Sequence, residues 1–116
     1  MTPWNDLIAG VEQAYHDACE KHPKFADELV PPDLNGIAIK SSIRFYQSFN
    51  DSNSVSVGHT ILCEELMETY DAVINEGNQA HALEEVNQLI AVCLRFKEEL
   101  MKSKPFGQDY WKGGEQ

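Results

Sequence analysis

Basic residues are scarce in this chain of 116 residues, and one long span has none. Nine lysines and arginines stand against nineteen aspartates and glutamates, which gives a formal net charge of −10 at neutral pH. Residues 45–94 contain neither lysine nor arginine. Nucleic acids and anionic membranes require a basic protein surface, so we expect neither a nucleic-acid polymer nor a membrane as partner.

Long apolar runs and paired cysteines are also missing. No apolar segment approaches the ~20 residues that span a bilayer, and the amino terminus carries Asp6 and Glu12 instead of a basic-then-apolar signal layout. The three cysteines have no CxxC spacing, and an odd number favours reduced thiols in a cytoplasmic protein. Because Cys19, Cys63 and Cys93 lie within helical patterns, we expect them to be buried as small apolar residues.

Two segments with helical periodicity flank a short polar break between residues 59 and 100. Apolar residues recur every three or four positions, at Leu62, Leu66, Tyr70 and Val73 and then at Val86, Ile90, Cys93 and Phe96. In the break, Gly77 suits the residue after a helix end and Asn78 suits a helix N-cap. A break this short predicts two antiparallel helices side by side.

Two further helices are predicted before this pair. The first covers residues 3 to about 21, and the second covers residues 37–49 after a proline-containing connection. The predicted fold is therefore all-α, a four-helix bundle centred on an antiparallel helical hairpin. Residues 1–116 are expected to form a single domain, in which the aromatic tail at 103–116 covers the bundle or a neighbouring subunit.

Carboxylates dominate the span without basic residues. Its eight acidic residues are Asp51, Glu64, Glu65, Glu68, Asp71, Glu76, Glu84 and Glu85. Glu65 and Glu68 are three residues apart and therefore neighbours on one helix face. Clustered carboxylates raise each other's pKa, and a divalent cation relieves their repulsion. Mg²⁺ prefers oxygen ligands and is the expected ion, with Mn²⁺ as its substitute; the alternative is that exposed glutamates only solubilise the helices.

The helical rise allows one site shared by both helices of the hairpin. At about 1.5 Å per residue, Glu65 and Glu68 lie roughly 12–17 Å from the turn. On the second helix, Glu85 and Gln88 lie roughly 8–12 Å from it. The two levels overlap, so one or two cations can bridge the helices.

These acidic residues form two motifs, EELME, which begins at Glu64, and LEEVNQ, which ends at Gln88. Together they resemble the EExxE and ExxD motifs of the MazG-like all-α nucleoside triphosphate pyrophosphohydrolases. The resemblance implies that Glu65, Glu68 and Glu85 bind the metal. Gln88 stands where the family pattern has Asp, and it can offer an oxygen but no charge. The sequence is most similar to a phage and bacterial branch in which glutamine occupies this position.

The resemblance implies Mg²⁺-dependent hydrolysis of an NTP or dNTP to the monophosphate and pyrophosphate. Glu64, which is not among the matched ligands, is the candidate for positioning the attacking water. Short chains of the family complete their sites against a partner subunit, which implies a homodimer or homotetramer. Gln88 favours an alternative, a non-catalytic module of the same fold that binds a nucleotide or a protein.

Three basic residues are candidates for binding the substrate. A metal-bound triphosphate needs positive groups beside the cation, and Lys40 and Arg44 lie one turn apart on the second predicted helix. The alternative is that both are simple solvated charges. Arg95 follows Gln88 by two helical turns on the same face, where it can bind a phosphate or pair with a carboxylate.

Overall fold

The computed structural model describes residues 2–27, 29–31, 33–52 and 58–103, and in these ranges all regular secondary structure is helical. The elements are α1 (Trp4–Ile8), α2 (Val11–Lys21), α3 (Gly36–Ser52), α4 (Gly58–Asp71), a π-helical turn (Ala72–Glu76) and α5 (Gln79–Lys102). None of the described helices combines the length and apolar character needed to cross a membrane. The all-α prediction is confirmed for this part of the chain, whereas the expected role of the aromatic tail concerns residues beyond 103, outside the described ranges.

The first predicted helix is divided in two at Gly10. This glycine has a φ of 83°, a left-handed conformation that suits glycine and interrupts the helix between α1 and α2. The prediction of one continuous helix is therefore wrong at this point. α1 lies against α5, where the Thr2 N–H donates to Glu98 Oε2 at 3.1 Å and Lys97 Nζ donates to the Ala9 carbonyl at 2.8 Å.

The hairpin of α4 and α5 has the predicted caps. Gly77 is left-handed with a φ of 59°, and the Asn78 side chain accepts a hydrogen bond from the His81 N–H at 3.1 Å. The last turn before Gly77 is π-helical, which the sequence pattern did not indicate. Short π-helical segments often occur at functional sites, and this one begins immediately after Asp71.

α4 packs against both α3 and α5, and the interior lies along it. Among the described residues, the buried apolar ones are Ile39, Ile43 and Ala72. Four polar residues in the same ranges are also buried, namely Thr60, Thr69, Asp71 and Glu85. A charged residue is seldom buried without a partner or a function. The two buried acidic residues, Asp71 and Glu85, therefore indicate a candidate site between α3, α4 and α5.

The three thiols are less buried than expected. Cys19 and Cys93 are exposed, and Cys63 is half-buried. The prediction of buried cysteines is therefore wrong for the first two. Cys19 lies on α2, all of whose residues are exposed, and Cys93 lies on the outer side of α5.

Candidate functional site

Three glutamates of α4 form a compact carboxylate cluster. Glu64, Glu65 and Glu68 each offer one carboxylate oxygen, and these oxygens lie within 4.8 Å of one another. Spacings of three and four residues bring them to one side of the helix. All three are half-buried, so they repel one another with only partial screening by water.

A fourth carboxylate approaches from α5. Glu85 is only 6% exposed, and its Oε1 lies 3.0 Å from His81 Nε2. Its Oε2 is buried without a hydrogen-bond partner among the described residues, and the same holds for Glu65 Oε2. A buried carboxylate oxygen without a donor is costly. Two such oxygens, one from each helix of the hairpin, would be stabilised by a proton, a hydrogen-bond donor or a cation.

Burial and mutual repulsion change how the cluster titrates. Burial, a hydrogen bond with Glu64 and the charges of Glu65 and Glu85 together raise the pKa of Glu68 to about 8. Burial, followed by the charges of Glu85 and Glu64, also raises the pKa of Glu65. The charge of Glu85 contributes to both raised pKa values, so the carboxylates of α4 and α5 interact electrostatically. A bound cation would offset the charges that raise these pKa values.

Glu64 is held in place by a residue that sequence reasoning missed. Asn50 Nδ2 donates to Glu64 Oε1 at 2.8 Å, and Thr60 Oγ1 donates to Asn50 Oδ1 at 2.7 Å. Asn50 lies in α3, which continues to Ser52 instead of ending at Phe49 as predicted. No sequence pattern linked Asn50 to Glu64, because the contact depends on how α3 packs against α4.

A cleft of about 430 Å³ lies beside the carboxylates. It is lined by Lys40, Ile43, Arg44, Gln47, Glu68, Asp71, His81 and Glu85. The cleft is within the usual size range of small-molecule sites. Two predicted substrate-binding residues, Lys40 and Arg44, thus line the same space as two predicted metal ligands, Glu68 and Glu85.

Lys40 is anchored at this cleft by Asp71. Its Nζ donates to Asp71 Oδ2 at 3.0 Å, and Asn75 Nδ2 donates to Asp71 Oδ1 at 2.7 Å. Burial acts to raise the pKa of Asp71, but the hydrogen bonds from Asn75 and Lys40 outweigh it and lower that pKa. Asn75 also donates to the Gly36 carbonyl at 3.1 Å, which joins the π-helical turn to the start of α3. The Lys40 side chain remains half exposed and accessible to a ligand.

His81 is a second residue to which the sequence analysis gave no role. Its Nδ1 lies 2.7 Å from Glu76 Oε1, and its Nε2 faces Glu85. The hydrogen bond with Glu76 is the main cause of its raised pKa; burial opposes the shift, and Glu85 adds to it. The spacing of four residues between His81 and Glu85 was the only signal in the sequence. His81 thus places an imidazole between two carboxylates, within the span that has no lysine or arginine.

Four predicted site residues do not line the cleft. Glu64 and Glu65 belong to the carboxylate cluster of α4, and Gln88 and Arg95 lie further along α5. The Gln88 side chain is exposed one turn beyond Glu85 and does not line the cleft. Arg95 lines a different cavity of about 540 Å³, together with residues such as Gly58, Ile61 and Phe96. Seven further residues along α5 move Arg95 about 10 Å from the level of Gln88. The roles given to Gln88 and Arg95 therefore stay predictions.

Comparison of the chain with protein-family models, curated proteins and solved structures found no match.

Proposed function

We propose that the chain is a Mg²⁺-dependent nucleoside triphosphate pyrophosphohydrolase with a MazG-like four-helix fold. One observation carries the proposal. Glu68 of α4 and Glu85 of α5 line a cleft that also presents Lys40 and Arg44. Among the described residues, Glu85 and the nearby Glu65 each have one buried oxygen without a partner. Acidic groups beside basic groups suit a ligand that is itself a cation bound to an anion, as a magnesium nucleotide is.

The donor set fits a hard divalent cation. Glu65, Glu68 and Glu85 would hold it, and Glu64 offers a further oxygen beside Glu65 and Glu68. All these donors are carboxylate oxygens, which Mg²⁺ prefers and Mn²⁺ accepts. The bound ion would polarise the phosphate oxygens and lower the pKa of a water.

Side chains of α3 and α4 would bind the phosphates and accept the proton of the attacking water. Lys40 and Arg44 would offset the charge on the phosphate oxygens, with Lys40 kept at the cleft by Asp71. Glu64, oriented by Asn50, would accept a proton from the attacking water. Water adds across the α–β phosphoanhydride bond, the P–O bond breaks, and the products are a nucleoside monophosphate and pyrophosphate.

The proposal includes assembly into a homodimer or homotetramer. Large apolar side chains remain exposed on several helices, among them Tyr15 on α2, Phe45 on α3, and Leu83 and Ile90 on α5. Leu83 and Ile90 are seven residues apart and thus share a face of α5. A second copy of the chain would cover these surfaces and remove apolar area from water.

A second candidate function is a non-catalytic module that binds a nucleotide or a protein. The position of Gln88 favours it, because the fourth residue of the motif is uncharged and its exposed side chain does not line the cleft. Such a module would retain cation or nucleotide binding but release no pyrophosphate.

The test is a product analysis on a panel of NTPs and dNTPs with Mg²⁺, using anion-exchange chromatography. We expect equimolar monophosphate and pyrophosphate from the wild type, and none from Glu68→Gln. Glu84→Gln is the matched control, because Glu84 is exposed on α5 next to Glu85 and should leave turnover unchanged. Nucleotide binding without product would favour the module, and full activity in Glu68→Gln would refute the proposed site.

A further inference from the structure

His81 connects two parts of the chain through both of its ring nitrogens. Nδ1 lies 2.7 Å from Glu76 Oε1, on the π-helical turn, and Nε2 lies 3.0 Å from Glu85 Oε1, on α5. The ring therefore bridges the π-helical turn and the helix that carries Glu85.

The backbone of His81 is fixed as well. Its N–H donates to the side chain of Asn78, the N-cap of α5. The ring is thus attached to the first turn of the helix at a defined position. Because Glu85 follows one turn later on the same face, the ring reaches its carboxylate without distorting the helix.

The two oxygens of Glu85 have different surroundings. Oε1 is occupied by His81, while Oε2 is buried and unpartnered among the described residues. A free glutamate side chain samples several rotamers, and ordering it on ligand binding costs entropy. A carboxylate with one oxygen already hydrogen-bonded loses less entropy when its other oxygen binds a cation. Residues that hydrogen-bond to metal ligands orient them in this way.

We propose that His81 is a positioning residue, which holds the Glu85 carboxylate so that Oε2 is the oxygen available to a cation. The bridge to Glu76 also ties the turn between α4 and α5 to the helix that carries Glu85. The inference rests on the proposed cation site and goes beyond it, since the resemblance assigns no role to His81.

The experiment measures Mn²⁺ binding by electron paramagnetic resonance of free Mn²⁺ for the wild type, His81→Ala, His81→Gln and His59→Ala. We expect His81→Ala to weaken binding about ten- to one-hundredfold, as loss of such supporting groups does elsewhere. His81→Gln keeps a hydrogen-bond donor for Glu85 and should recover part of the affinity. His59 is exposed on the first turn of α4, and its removal should leave Mn²⁺ affinity unchanged.

Melting curves in EDTA identify any variant that does not fold. If His81→Ala does not fold, the Mn²⁺ affinity of His81→Gln tests the inference.

Unchanged or tighter Mn²⁺ binding in both His81 variants would overturn the inference. Absence of Mn²⁺ binding in the wild type would refute the cation site itself, and the inference with it.

Discussion

Replacing Glu85 by glutamine should stabilise the metal-free protein and abolish its stabilisation by cations. Glu85 is 6% exposed, and its Oε2 has no donor among the described residues. Glutamine places an NH₂ group at one of the two terminal positions, where it can donate to the neighbouring carboxylates. The other oxygen can still accept from His81.

The expected size follows from two opposing terms. Relieving a buried unpartnered oxygen gains about 1–3 kcal/mol. Exchanging a charge-assisted hydrogen bond with His81 for a neutral one loses about 1 kcal/mol. The net gain in the free energy of unfolding is about 1 kcal/mol, or a rise in Tm of about 4 °C for a domain of roughly 100 residues.

With bound cation, the wild type should be more stable than Glu85→Gln. A ligand that binds only the folded state at one hundred times its Kd stabilises it by about 2.7 kcal/mol, and Glu85→Gln should forfeit most of that gain. Thermal unfolding followed by circular dichroism in EDTA and in Mn²⁺ measures both effects. Glu84→Gln makes the same charge change at an exposed site and should shift stability by less than about 0.5 kcal/mol. A Glu85→Gln protein that folds but melts lower in EDTA, or gains as much from Mn²⁺ as the wild type, would refute the reasoning.

Three further predictions concern pH, Gln88 and assembly. Because the folded-state pKa of Glu68 is raised to about 8 from 4.5, its contribution to stability is complete below about pH 4.5 and is lost as pH rises through 8. Urea unfolding without metal should therefore show lower stability at pH 9 than at pH 6, and a flatter profile in Glu68→Gln; identical profiles would contradict this. Gln88→Asp should tighten Mg²⁺ binding and raise pyrophosphate release, since it adds a charge one turn from Glu85; weaker Mg²⁺ binding with the fold intact would favour the non-catalytic module. Light scattering at micromolar concentration should give at least a dimer mass, and a monomer mass would count against the assembly.

The local features of the hairpin could be predicted from the sequence. Gly77 and Asn78 have backbone requirements that nearby residues alone decide, and both occupy the predicted capping positions. The proximity of Glu65 and Glu68 is likewise a property of any helix. Such predictions succeed because they depend on neighbours within one or two turns.

Contacts between helices could not be predicted in this way. The bonds from Asn50 to Glu64 and from Lys40 to Asp71 depend on how α3 is rotated against α4. The sequence places Lys40 on a helix but says nothing about which carboxylate it faces. His81 was overlooked because its two partners, on α5 and on the turn before it, belong to different elements. The break at Gly10 was missed because the apolar stripe continues through it, although a glycine there permits a left-handed turn.

The central claim is that carboxylates from both helices of the hairpin hold one divalent cation. The most direct measurement is anomalous diffraction from crystals soaked in Mn²⁺ with a non-hydrolysable nucleoside triphosphate analogue. We expect an Mn²⁺ peak coordinated by carboxylate oxygens of Glu65, Glu68 and Glu85, with the phosphates extending toward Lys40 and Arg44. Ordered Mn²⁺ only at other positions, or these three side chains turned to separate surfaces, would contradict the claim.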